Sequence, residues 1–210
     1  MNIISILGLA FGAAWTSGIN LYATVAALGL LQHYGLAQLP GGLHILDSWI
    51  IIGVALFLYV VEFVADKIPY VDTVWDAVHT FIRVPAGAAI AFSATANLHP
   101  TVQVLALLLG GGLALSTHGT KATLRAAANT SPEPVTNWTL SIIEDVVAIG
   151  STVLMVVNPV VILVIIAVFL LILAWILPKV VRRIRRMIRS ARAFFGGQTI
   201  ASAAQEVKTL

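Results

Sequence analysis

The chain has 210 residues, 59% of them hydrophobic and only 10% charged, against about one quarter charged in an ordinary soluble domain. That excludes a soluble globular fold, and at about 20 residues per membrane-spanning helix the length holds roughly six spans with no room for a separate soluble domain. There is no cysteine, so disulfides, thiolate metal sites and cysteine nucleophiles are excluded as well.

Taken in chain order, hydropathy and the Gly, Pro and polar breaks predict spans at about 4–33, 48–67, 72–97, 102–128, 136–157 and 159–177. The expected architecture is therefore an all-α integral membrane fold of six helices, with residues 1–178 as one transmembrane domain. The N-terminus, MNIISILGLAFGAAW, lacks the basic n-region of a signal peptide and stays apolar to about Leu31, which reads as a retained first helix. Within it Ser17, Asn20 and Thr24 form a weak polar stripe, and Gly18 is placed to loosen the helix and free a backbone group. Gly8 and Gly12 form a GxxxG pair, a device for close helix contact. The last two spans form one apolar run, too long for a single crossing, in which Asn158-Pro159 predicts a tight turn.

Charge is distributed unevenly. Residues 1–178 hold eight acids (Asp47, Glu62, Asp66, Asp72, Asp76, Glu133, Glu144, Asp145) and four bases (Lys67, Arg83, Lys121, Arg125), a net −4, while residues 179–210 carry +7. Lys and Arg mark the cytoplasmic side, so the tail fixes the orientation, and an even number of spans puts both termini in the cytoplasm of a bacterial inner membrane. Over 179–196 Val180, Ile184, Met187, Ile188, Ala191 and Phe195 recur at helical spacing opposite the bases, predicting an amphipathic helix followed by a flexible tail at 197–210. Its Arg182, Arg183, Arg185 and Arg186 suit the anionic lipids of the inner leaflet, not nucleic acid.

The sequence also matches itself at an offset of 63: Ala65 falls on Ala128, Pro69 on Pro132, Thr73 on Thr136, Trp75 on Trp138 and Gly87 on Gly150. This predicts two duplicated helical hairpins, 48–97 and 102–157, as a parallel repeat. At the same offset Glu62 falls on Arg125, and Arg83 lies beside Glu144 and Asp145, which makes these opposite charges candidate ion pairs at matching depth.

The polar faces carry the functional reading. Asp72, Asp76, His79 and Arg83 are spaced to share one helix face, as are His118, Lys121, Arg125 and Asn129, Glu62 with Asp66, and Asn137, Ser141 and Glu144. Each charge at the bilayer centre costs about 2.5–3.5 kcal/mol on insertion scales, so these faces must meet one another or line a water-filled cavity. With six acids against four bases, a surplus of carboxylate remains. The expected site is Glu62, Asp66, Asp76, His79, Arg83, Lys121, Arg125, Glu144, Asp145 and Asn20. Glu144 and Asp145 would bind a proton or cation, Glu62 and Asp66 would gate the cytoplasmic side, and His79 and His118 would share a proton relay.

The function expected from this is a proton- or cation-coupled membrane transporter for a small ion or solute. A carrier of anionic lipid headgroups using the basic trio, or an interaction protein whose charges form a polar zipper, are the alternatives. A second copy of the chain is a candidate partner. No nucleophile elbow supports a hydrolase built from Ser17 or Ser141, His79 and Asp76, and no enzyme is expected. His33, His44 and His99 have no metal-ligand spacing, the glycines at 110–112 fit close packing and not a nucleotide loop, and no cofactor is expected.

The runs Ser17-Gly18-Ile19-Asn20, EFVADKIPYVDTVWDAVHTFIR with PAGA just beyond, KATLRAAANTSPEP and SIIEDVVA resemble the bacterial integral-membrane family catalogued as domain of unknown function 4126. The resemblance reaches to about residue 178. It implies that Glu62, Asp66, Lys67, Asp72, Trp75, Asp76, Arg83, Lys121, Arg125, Ser131, Pro132, Glu144 and Asp145 are signature positions, and it implies no substrate.

Overall fold

The computed structural model describes residues 1–68, 70–130 and 134–207, with side chains for all of these except 134, 184 and 190–207. All regular structure among them is helical: α1 (Ile3–Ile19), α2 (Leu21–His33), a 3-10 helix (Gly41–Asp47), α3 (Trp49–Ala65), α4 (Val71–Ala94), α5 (Pro100–Ala128), α6 (Pro134–Val157) and α7 (Pro159–Val207). Four helices, α4, α5, α6 and α7 as far as Arg189, are long and apolar enough to cross a membrane. The 3-10 helix and α3, bent by 75° at Ser48, make a fifth if the pair is one span.

The first predicted span, 4–33, is two short helices instead of one. The break falls at Asn20, whose backbone is extended (φ −144°, ψ 103°) and which serves as both the C-cap of α1 and the N-cap of α2. Its side-chain oxygen accepts from the Ala23 amide at 2.9 Å, replacing the helical carbonyl, as asparagine caps do. The expected loosening at Gly18 thus occurs two residues later, because a capping side chain ends a helix more effectively than a missing β-carbon.

Gly18 has a different role: it allows α1 to approach α5. A β-carbon there would overlap Thr117, whose hydroxyl donates to the Trp15 carbonyl at 3.0 Å. Helices α4 and α5 pack extensively on each other, and both pack on α1. At Gly87 an added β-carbon would come within 2.5 Å of Ala114, and at Gly110 within 2.5 Å of Ala91. The expected thin spot at 110–112 is therefore Gly110 and Gly111, while Gly112 faces open space.

The break at Asn158-Pro159 is present. A β-carbon on Gly12 would meet Met155 at 3.1 Å and Ile162 at 3.3 Å, and one on Gly8 would overlap Pro159. Residues on both sides of the break therefore reach the same level of α1, and the break itself lies a turn away, which is the geometry of a reversal. The GxxxG pair packs against this turn.

The two predicted hairpins do not pack as units. Helices α3 and α4 touch sparingly, as do α5 and α6, whereas the extensive contact joins α4 to α5 across the proposed repeat boundary. The matched glycines also differ, Gly87 being tightly enclosed and Gly150 open. Pro69, Ser131 and Pro132 lie outside the described residues.

The contacts form two units, Met1–Ile166 and a second beginning at Ala167. In the second, the residues are helical through 179–196 and into the expected tail as far as Val207, and residues 208–210 lie outside the described residues. Val180, Met187 and Ile188 are exposed; the side chains of Ile184, Ala191 and Phe195 lie outside the described ones. The Lys179 ammonium stands 2.9 Å from the centre of the Trp175 ring. Lys179, Val180, Arg182, Arg183 and Arg186 line a concavity of about 400 Å³.

Candidate functional site

The predicted polar faces converge. Glu62 near the end of α3, Asp66 just after it, Asp72, Asp76, His79 and Arg83 on α4, and His118, Lys121 and Arg125 on α5 are all buried. From α6 come Asn137, Ser141 and Asp145, also buried, and Glu144, whose side chain is 13% exposed. Asn20, at the α1/α2 break, is buried with them.

Three cations organise the cluster. The Arg83 guanidinium pairs with Glu62, lies 3.7 Å from Asp76, and donates to the free carbonyls of Gly18 and Ile19 at 3.3 and 3.1 Å. The helix break thus presents two unsatisfied carbonyls, and Arg83 satisfies both. Lys121 sits among four carboxylates: Glu62 and Asp66 at 3.1 Å, Glu144 at 3.4 Å and Asp76 at 3.9 Å. Arg125 grips Glu144 with two bonds, 3.1 Å from Nε and 2.6 Å from Nη2. It also reaches the side chain and carbonyl of Asp66 at 3.0 and 2.6 Å. Such bidentate guanidinium–carboxylate pairing suits buried ion pairs because the planar fork satisfies both oxygens.

The pairing differs from the expected one. Glu62 pairs with Arg83 and not Arg125, and Arg125 pairs with Glu144. Each predicted hairpin closes its own acid–base pair, with the acid on the first helix in one and on the second in the other. Lys121 joins the two pairs by touching both Glu62 and Glu144. Equivalent positions do not meet, since the partner of each lies on the other helix of its own hairpin.

The two remaining acids, Asp72 and Asp145, bond to neutral donors, and Arg125 Nη1 also lies 3.9 Å from Asp72. Asp72 accepts from Asn129 through both oxygens at 2.8 and 3.0 Å and from the Thr73 amide at 2.6 Å. Asn137 donates to Asn129 at 2.9 Å, extending this chain to α6. Asp145 accepts from Asn20 at 3.0 Å through Oδ1, its Oδ2 is buried without a hydrogen bond, and the Tyr59 hydroxyl lies beside it. Lys67, counted in the sequence among the bases facing the acids, donates to the Phe63 carbonyl at 3.0 Å and the Ser141 hydroxyl at 3.3 Å, and its ammonium lies against the Phe63 ring.

The two histidines are held differently. Nδ1 of His118 lies 3.0 Å from Arg83 Nη1, and since a guanidinium only donates, that nitrogen accepts. His118 is therefore neutral, with its proton on Nε2 directed to the Asp76 carbonyl at 3.0 Å. A second proton would point at Arg83, so the ring does not suit the expected relay. His79 donates from Nδ1 to the Trp75 carbonyl at 2.8 Å and meets the Tyr22 hydroxyl through Nε2 at 3.0 Å.

Tyr22, Tyr59 and Thr80, whose hydroxyl donates to the Asp76 carbonyl at 3.0 Å and lies 2.9 Å from His118 Nε2, were not among the expected site residues. Tyr59 lies three residues before Glu62 on the same face of α3, a spacing that marks it, whereas Tyr22 depends on the bend at Asn20 and has no such signal. The charged side chains contact one another directly, and the concavity beside them is apolar: about 530 Å³, lined by Tyr70, Val71, Val74, Trp75, Val78 and His79. Among the described residues no three His, Asp or Glu side chains converge in a way that could hold a metal ion.

An all-helical protein with four or five helices able to cross a membrane, and with an ion-pair cluster buried between them, is the class that the fold and site define. More specifically, the chain belongs to the family described as Domain of unknown function (DUF4126), which matches residues 7–179. No curated protein and no solved structure matches it.

Proposed function

We propose that the protein is a membrane transporter coupled to protons or cations, with the cluster between α3, α4, α5 and α6 as its ion-binding site. The observation that carries this is a charge count. Glu62, Asp66, Asp72, Asp76 and Glu144 surround Arg83, Lys121 and Arg125 within 4 Å, five negative groups against three positive, at a site nearly closed to solvent. A purely structural lock needs no surplus charge, and burying one without compensation is costly. The broken α1/α2 pair supports the same reading, since interrupted helices whose ends face polar groups are how transporters bring backbone to a binding site. In this reading the two short helices together make the sixth span, both termini lie in the cytoplasm of an inner membrane, and the bases of α7 rest on anionic headgroups. The protein acts as a carrier and not an enzyme. A carrier of anionic headgroups is less well supported, because carboxylates already occupy all three buried cations.

The test is flux in proteoliposomes holding the full-length protein, driven by an imposed pH gradient and read with an internal pH dye. Coupled flux that is lost in Glu62→Gln supports the proposal. Absence of flux under proton, sodium and potassium gradients, together with recovery of a destabilised Arg125→Glu variant by Glu144→Arg, supports the polar zipper instead.

A further inference from the structure

Asp76 stands apart within the cluster. It is 2% exposed, and neither carboxylate oxygen has a hydrogen-bond partner. Its nearest cations are at 3.7 and 3.9 Å, beyond hydrogen-bond reach, because Arg83 is turned to Glu62 and the α1 carbonyls while Lys121 is turned to Glu62 and Asp66. Glu144, by contrast, is held twice by Arg125, and Asp145 has one of its two oxygens held by Asn20.

The groups facing Asp76 come from every neighbouring element. Its own helix supplies Asp72, His79 and Arg83; α3 supplies Glu62 and Asp66; α5 supplies His118, Lys121 and Arg125; and α6 supplies Glu144 through Lys121. Helix α1, which packs on α4, has no titratable side chain. With His118 neutral, the five carboxylates and three cations leave the surplus of two negative charges counted above. The cluster also has an excess of acceptors: Glu62 Oε2 and Asp66 Oδ1 are buried and without hydrogen bonds, as are both oxygens of Asp76.

We propose that Asp76 is the proton-binding carboxylate of the cluster and that the coupling ion is the proton. One proton on Asp76 halves the surplus charge and converts one of the unpaired acceptors into a donor. A metal cation fits less well, since Arg83 and Lys121 stand within 4 Å of the carboxylate and would repel it. The inference rests on the transport reading for its meaning as a coupling site, but the protonation itself is measurable without transport.

The experiment is infrared difference spectroscopy of the full-length protein in lipid nanodiscs across a pH titration. The expected result is a carbonyl stretch of a buried protonated carboxylic acid that disappears reversibly as pH rises. It should shift when the protein is made with aspartate carrying heavy carbon in the side-chain carboxyl, and should be lost in Asp76→Asn. The labelled wild type keeps the test informative if Asp76→Asn does not fold. Absence of the band at every pH, a band that ignores the aspartate label, or one that persists in Asp76→Asn overturns the assignment. A titrating Asp76 band with no proton flux in proteoliposomes refutes the transport reading and leaves the assignment standing; proton-coupled flux that survives Asp76→Asn does the reverse.

Discussion

Replacing Arg125 by methionine tests whether the cluster is as dry as its burial implies. The arginine is fully buried and makes two bonds to Glu144, one to the Asp66 carboxylate and one to the Asp66 carbonyl. Methionine fills much of the same space without a donor. Removing one partner of a buried ion pair costs about 3–5 kcal/mol, mostly from the charge left behind. Here Lys121 still stands 3.1 Å from Asp66 and 3.4 Å from Glu144, so the loss should fall near the lower limit, about 3 kcal/mol. Removing Glu144 as well, in Arg125→Met with Glu144→Met, takes away the stranded carboxylate and should recover about 1–2 kcal/mol of that loss, a coupling typical of contacting residues. Reversible denaturant unfolding in mixed micelles, followed by tryptophan fluorescence, measures both. A loss below about 1 kcal/mol, the range of exposed pairs, would show that water screens the cluster and would refute the charge count drawn from it.

Further outcomes follow from the same contacts. Gly18→Val should push α1 away from Thr117 and the Ala114 carbonyl and cost about 1–3 kcal/mol in the same unfolding assay, whereas Gly112→Ala, which faces open space, should change stability by no more than about 1 kcal/mol. Asn20→Ala removes both the cap of α2 and a donor to Asp145; it should cost about 1–2 kcal/mol and speed hydrogen exchange in the first turn of α2. Lys121→Met leaves five carboxylates facing two arginines, so the infrared spectrum should gain a second protonated carboxyl band; an unchanged spectrum would count against dry burial.

Much of the site was legible because helical spacing is a local property. Asp72, Asp76, His79 and Arg83 share a face whatever packs against it, and insolubility of charge in lipid turns that face inward. All ten expected site residues are accordingly at or beside the cluster. The pairing was not legible, since an offset in sequence says which positions correspond and nothing about which helices touch. That depends on small residues at Gly18, Gly87 and Gly110, which let α1, α4 and α5 pack closely. The broken first helix was half legible. Gly18 and Asn20 both carried a signal, but choosing between them required knowing that the asparagine would cap α2 and also reach Asp145.

Arg83 connects these features. One guanidinium holds Glu62, approaches Asp76, fixes the tautomer of His118 and satisfies the two carbonyls that the break at Asn20 exposes. Its position is thus a balance between carboxylates on one side and the C-terminal, electronegative end of α1 on the other. Neutralising Asp76 weakens the pull from the carboxylate side and leaves the pull from α1 unchanged. The Arg83 bonds to Gly18 and Ile19 therefore tie the charge state of the cluster to the place where the apolar helical run of α1 and α2 is already interrupted. A lysine would keep the charge and lose this link, because a single ammonium lacks the fork that serves several acceptors at once.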